Sequence, residues 1–165
     1  MKRQQPILAG VALLASSVAL SFAHPWGNLR SVAPGAQLLE GSAVPGDVRG
    51  VLEKKCADCH SNQTHWPLYS RVAPASWLME HDVHTGRSAM NLSLWEGMNA
   101  EDRIATLTRI AAEVRNGEMP PKPYTMLHPA NRLTETDQQQ ITAWARSERK
   151  HIRLELSAQK ENDTK

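Results

Sequence analysis

Asp47-Val-Arg-Gly-Val-Leu-Glu-Lys-Lys-Cys-Ala-Asp-Cys-His60 carries two overlapping signals. Asp47 is placed to cap a helix, and Val48, Val51, Leu52 and Lys55 follow at helical spacing. Cys56-Ala-Asp-Cys-His60 comes directly after it. Two cysteines separated by two residues can reach both vinyl groups of a haem from one short turn. The histidine that follows is then aimed at the iron from the same side. Imidazole nitrogen is a good iron ligand, and a covalent tether makes its binding effectively intramolecular. The expectation is one haem c, bound covalently through Cys56 and Cys59, with His60 as the first axial ligand. Three plainer readings compete. A thioredoxin-type dithiol needs a βαβ setting that the pattern lacks. A zinc site of Cys56, Cys59, His60 and His65 has its histidines too close for the common finger spacings. The third is a simple structural disulfide between Cys56 and Cys59.

Working outward, the helical signals continue in both halves of the chain. Pro74 suits the first turn of a helix over 75–85, which Gly86 would end. Asn99 caps a third helix with Glu101 and Asp102 at its positive end. Ile104, Leu107, Ala111 and Val114 form its stripe, and Gly117 closes it. Residues 118–132 hold four prolines, so no regular element is expected there. Thr134 caps the last helix with Asp137 three residues on, a variant of the capping box, and Ile141, Trp144 and Ala145 mark its buried face. No segment shows sustained period-two alternation. The fold class expected is all-α.

The N-terminus reads as an export signal. Lys2 and Arg3 precede an uncharged apolar run from Ile7 to Ala23, and Ser21-Phe22-Ala23 places small residues before a cut at His24. The competing reading is an uncut membrane anchor, because about 17 residues is the lower limit for a spanning helix. Both readings put the rest of the chain outside the cytoplasm. Residues 24–46, with Ala33-Pro34-Gly35 and Val44-Pro45-Gly46, read as a linker or an extended arm. The organisation expected is therefore 1–23 signal or anchor, 24–46 arm, 47–150 haem-binding domain and 151–165 charged tail. The leading segment holds two of the 19 basic residues and no acidic one, which leaves 17 basic against 17 acidic. That balance argues against nucleic-acid binding, which needs a clustered basic footprint. Two cysteines exclude a disulfide framework.

An electron-transfer haem is usually closed by a second protein ligand, often a methionine thioether. Met119 stands in Gly117-Glu-Met-Pro-Pro121, where the prolines stiffen a loop that can hold a thioether with little entropy loss. Met126 in the same loop is its rival; Met79, Met90, Met98, His65, His81, His84 and His128 complete the candidates. Trp77, His81 and His84 share one face of the second helix. Trp66, Trp77 and Trp95 are candidates to wall the macrocycle, Arg71, Arg87 and Arg115 to pair with its propionates, and Lys54 and Lys55 to steer an acidic redox partner.

The order of a helix ending in Cys56-Ala-Asp-Cys-His60, a Met119-Pro120 loop and a terminal helix with Ile141 and Trp144 resembles class I cytochromes c. That resemblance implies a small helical domain around one haem, with Val51 and Leu52 packed on Ile141 and Trp144, and His60 and Met119 as axial pair. A closer resemblance is to the bacterial haem-binding domain family of exported c-type proteins. It rests on Cys56 to Pro67, Tyr69-Ser70, Val72 to Leu78, Gly86-Arg87, Asn91-Leu-Ser93, Trp95, Gly117 to Pro121 and Tyr124 to Pro129. Leu68 departs from the pattern, where an aromatic is usual.

The function expected is a mono-haem c-type cytochrome that carries single electrons outside the cytoplasm to or from a redox partner protein. It would be soluble after signal cleavage or tethered to the inner membrane through residues 7–23. The alternative is a peroxidase-like haem enzyme or a redox or gas sensor with an open sixth position, where His81 or His84 would act as distal acid or base.

Overall fold

The computed structural model describes residues 5–31 and 38–164. Seven α-helices are defined there: α1 Gln5–Leu20, α2 Gly46–Lys55, α3 Ala57–His60, α4 Ala75–Ala89, α5 Ala100–Asn116, α6 Lys122–Leu127 and α7 Glu135–Asp163. Short 3-10 segments lie between them, and no strand occurs among the described residues. The all-α expectation holds.

The frame of the domain is α7 laid along α5, with α2 packed across α7. Leu107, Ile110 and Val114 of α5 meet Ile141, Trp144, Ala145 and Ile152 of α7, and α2 adds Val48 and Leu52. Each such side chain taken out of water contributes about 1.5–3 kcal/mol before chain entropy is set against it. The expected contact of first and last domain helices is present, but α5 supplies the larger partner surface. Leu38 and Leu39 also enter this core, and Leu39 N–H donates to the Leu92 carbonyl at 3.1 Å. Part of the 24–46 segment therefore packs on the domain; Ala33-Pro34-Gly35 lies outside the described residues.

Several local expectations held for the reasons given. Asn99 Oδ1 accepts from Asp102 N–H at 2.8 Å, and Gly117 ends α5 at φ +70°, a left-handed position that favours glycine. Thr134 and Asp137 close a full capping box.

Others did not. Asp47 lies in the first turn of α2 after Pro45, and its carboxylate accepts from Gln140 Nε2 at 2.9 Å, joining α2 to α7 instead of capping. Gly86 does not end α4; the helix continues to Ala89, and glycine is used there for close packing. The proline-rich stretch after Met119 holds a helix after all, because Pro123 sits in the first turn of α6, where no intrahelical N–H is needed. Residues 151–163, read as a tail, continue α7; Ile152 is buried and Leu156 packs on the core.

Among the described residues no helix is long and apolar enough to cross a membrane.

Lys55, at the end of α2, bonds Asp137 Oδ2 at 2.7 Å and the Arg132 carbonyl at 2.9 Å. Burial pushes the Asp137 carboxyl up. The Lys55 ammonium and the Thr134 N–H and hydroxyl outweigh that and hold it below its usual value. A depressed carboxylate contributes stability that is present above its unfolded value, near 3.9, and is lost as pH falls through the folded value. Asp137→Asn should therefore lower stability at neutral pH by on the order of 1 kcal/mol. The gap to the unsubstituted chain should close as pH is taken below about 4, read from melting midpoints across a pH series.

Candidate functional site

The turn that follows α2 begins at Cys56, whose φ of −125° departs from the helical value and breaks the helix before α3 restarts it. This break lets Cys56, Cys59 and His60 face one cleft. α4 packs against α3 at Gly86, where an added Cβ would lie 2.9 Å from the carbonyl carbon and from the Cβ of Cys59. Only a glycine admits the two backbones at this distance. A glycine inside a helix costs about 1 kcal/mol relative to alanine, so its place here is explained by that approach.

The cleft holds about 830 Å³ of space, partly open to solvent, and its walls are overwhelmingly apolar. Cys56, just before α3, and Cys59 and His60 of α3 line it, with Gly86 and Ala89 from α4. Val114 of α5, Leu133, and Met119, Pro120, Pro121 and Tyr124 from the loop and helix after α5 complete its apolar part. Its ionisable rim is Lys55, Asp58, His81 and Asp82.

His60 is held in one orientation. Its Nδ1 lies 3.1 Å from the Met90 carbonyl oxygen. A carbonyl only accepts, so Nδ1 carries the hydrogen and Nε2 presents its lone pair. Burial pushes the imidazole below its usual value, against the opposing pull of the Met90 and Gly86 carbonyls. The ring is thus neutral at pH 7, the form that binds a metal. Both cysteines are free. Burial above all, with the neighbouring thiol adding for Cys56 and Asp82 and Asp58 adding for Cys59, pushes the two thiols up to about 12. They remain protonated, and an apolar wall of two thiols beside a neutral imidazole suits a flat apolar macrocycle carrying iron.

The four residues singled out from the sequence, Cys56, Cys59, His60 and Met119, line this one cleft. Met126, the rival of Met119, is 77% exposed on α6 and does not line it. Met90 contributes its carbonyl to His60, and Met98 packs on the core. Of the α4 histidines, His81 reaches the cleft, 3.5 Å from Asp82 and edge-on to Trp26, while His84 is exposed away from it. His65 is exposed and held by its N–H on Asp58; His128 shares a 2.9 Å hydrogen bond with the Tyr69 hydroxyl.

Three expectations are corrected by this geometry. None of Trp66, Trp77 and Trp95 walls the cleft: Trp95 is core, Trp66 lies under the Arg30 guanidinium and Trp77 bonds the Ala23 carbonyl. Arg87 turns to the Ser61 carbonyl at 2.8 Å and to Thr64 at 3.0 Å, bracing the loop after His60. Lys55 is spent on Asp137 and so is no free steering charge. Reading by residue type favoured the large rings and missed Gly86 and Tyr124. The run Pro120-Pro-Lys-Pro-Tyr124, in the same stiff loop as Met119, was the available signal for the tyrosine.

Comparison with known proteins bears on this cleft directly. The model of the haem-binding domain family matches residues 15–147. The chain belongs to that family. It is therefore a haem-binding protein, and in its structure Cys56, Cys59, His60 and Met119 meet in one cleft. It is also similar to the cytochrome c peroxidase Ccp of Escherichia coli K12, 29% identical over 113 residues. That match takes in 67% of this chain but 24% of the relative, so the chain spans about a quarter of that protein's length. No solved structure matches.

The Gly86 contact makes a prediction. Gly86→Ala forces the Cys59–His60 turn away from α4, and overpacking of this kind costs roughly 1–3 kcal/mol. Haem bound per chain, read by absorbance against protein concentration, should fall well below that of the unsubstituted chain. Full loading with an unshifted melting midpoint would show that the close approach does not position the turn.

Proposed function

We propose that this haem-binding protein is a mono-haem c-type cytochrome that carries single electrons outside the cytoplasm. Its haem would be bound through Cys56 and Cys59 and coordinated by His60 and Met119. The observation that carries the reading is that two thiols, an oriented imidazole and a loop thioether, drawn from α3 and from the loop after α5, line a single apolar cleft. Cys56 and Cys59 would hold the haem through thioether bonds to its two vinyl groups. When bound, the haem supplies the one-electron couple of its iron.

The chain's residues set the conditions for that couple. Met90 fixes the His60 ring, and Gly86 brings α4 against the attachment turn. Val114, Leu133, Pro121 and Tyr124 keep water from much of the cleft, which favours the less charged state of the iron. A soft thioether at Met119 acts in the same direction. The electron's source and destination would be a redox partner protein.

A peroxidase-like function is the second reading, supported by the likeness to Ccp and by His81 and Asp82 on the rim of the same cleft. Met119 is 36% exposed, so a sixth ligand drawn from it would be displaceable. His81 would then serve as the acid–base group.

The experiment is a pair of oxidised and reduced spectra of the purified full chain beside Met119→Ala, with a pyridine haemochrome assay. A c-type haemochrome that survives acid–acetone extraction is expected, together with the weak far-red band of methionine–ferric haem ligation, lost in Met119→Ala. Extraction of the haem into acid–acetone would sink the covalent reading. Fast carbon monoxide binding and peroxide turnover by the unsubstituted chain would replace the carrier with the peroxidase-like enzyme. In Cys56→Ala or Cys59→Ala, the reduced band should move toward that of a haem keeping one vinyl group.

A further inference from the structure

Glu80 of α4 is fully buried, yet only one of its carboxylate oxygens has a partner among the described residues. His24 Nδ1 lies 2.8 Å from Oε1, and Arg30 Nε stands 4.0 Å from the same atom. Oε2 has none. Ser76, 3% exposed and one helical turn earlier on the same face, has its hydroxyl in the same condition. Buried polar groups of this kind are rarely left unpaired, and an unmet carboxylate oxygen is the most costly of them. Neither residue lines the haem cleft.

Ser76 and Glu80 instead line a second cavity, which holds about 810 Å³ of space and opens to solvent. It shares no lining residue with the haem cleft, so α4 separates the two. Two guanidiniums reach it. Arg30 is fixed by stacking on Trp66 at 4.3 Å and by donating to the Ser70 carbonyl and, at 2.9 Å, to the Ser70 hydroxyl. Arg71, a candidate propionate partner by sequence, is exposed and lines this cavity and not the cleft. Burial lowers the Arg30 guanidinium from its usual value; Glu80 raises it and the nearby Arg71 guanidinium lowers it further. The leading segment closes one side, where the Ser17 hydroxyl donates to the Ala73 carbonyl at 2.5 Å and Ala73 N–H donates to the Ser21 hydroxyl at 2.9 Å. Of the lining residues only Ser21 precedes the cut expected at His24.

The chemistry of these groups narrows the occupant. A carboxylate oxygen only accepts, so the occupant must bring a hydrogen to Oε2. Two guanidiniums face one carboxylate, so it must also carry negative charge, and the planar fork of arginine suits an oxyanion. Water meets the first demand and leaves the guanidinium charges unpaired. A fully ionised oxyanion meets the second and sets its own oxygen against Oε2. Phosphate meets both, because at about pH 7 it keeps a hydrogen beside its charged oxygens. We propose that this cavity is a phosphate-binding site. The phosphate hydroxyl donates to Glu80 Oε2, and the charged oxygens accept from the Ser76 hydroxyl and from Arg30 and Arg71. His24 holds the carboxylate for this contact through Oε1. Because the cavity opens to solvent, inorganic phosphate and a phosphomonoester share the same chemistry there. The site stands independently of the haem reading.

The test is calorimetric titration of the purified full chain with inorganic phosphate, sulfate and glycerol phosphate, at about pH 7 and constant ionic strength. Haem content and melting midpoint are read on each sample, so failure of the haem reading is not confused with failure of this one. Phosphate should bind, and sulfate, of like shape but without a hydrogen, about tenfold more weakly or less. Glu80→Gln keeps an acceptor for His24 and sets an amide N–H where Oε2 stands, so sulfate should then bind at least as well as phosphate. Arg71→Ala, at an exposed position, should weaken phosphate binding on the order of tenfold with an unshifted melting midpoint. Tighter binding of glycerol phosphate would assign the site to a phosphomonoester, and tighter binding of inorganic phosphate to the free anion. No heat at millimolar phosphate, or equal binding of phosphate and sulfate by the unsubstituted chain, would overturn the site. So would a preference for phosphate that persists in a folded Glu80→Gln, or full affinity in Arg71→Ala.

Discussion

The close approach of α4 to the turn holding Cys59 and His60 governs much of the rest. Two backbones meet there without a side chain between them, and only Gly86 permits it. Once α3 lies on α4, the Met90 carbonyl at the end of α4 falls within reach of His60 Nδ1, and the ring is oriented. The same packing turns both thiols and the imidazole toward one space. The cost of a glycine in a helix interior is thus tied to the geometry of the turn that holds Cys59 and His60.

The frame around that contact is made by ordinary apolar packing. α5 and α7 bury Leu107, Ile110 and Val114 against Ile141, Trp144 and Ala145. The ends of the frame are held by polar links: Lys55 to Asp137 and Gln140 to Asp47 both join α2 to α7. Because α5 ends at Gly117 against this frame, Met119, two residues on, is delivered to the cleft from a rigid origin. Burial then does chemical work by keeping the thiols protonated and the imidazole neutral.

Much of the fold was legible because it rests on local rules. Asn99, Gly117 and the Thr134–Asp137 box act within a few residues of themselves, so their roles can be read along the chain. Apart from α6, which Pro123 allows by a local rule, the failures involve partners distant in sequence. Gly86 has the composition signal of a helix end, and only the presence of Cys59 makes it a packing residue. Arg87 and Lys55 had plausible haem or partner roles as isolated charges, yet each is committed to groups brought by other segments: Ser61 and Thr64 for one, Asp137 for the other. Tryptophans were favoured as cleft walls by size, whereas the cleft is walled by smaller residues and Tyr124.

By itself the sequence determined the helical class, the caps of α5 and α7 and the close spacing of Cys56, Cys59 and His60, since covalent spacing and helical periodicity are properties of neighbouring residues. It also narrowed the second ligand to a few methionines and histidines. Tertiary structure alone decided that Met119 and not Met126 faces the cleft, that His81 and not His84 reaches its rim, and that Ser17 and Ser21 meet the Ala73 peptide. These choices depend on how α4, α5 and the leading segment pack on one another. Packing of that kind is a sum over distant contacts that no local pattern encodes.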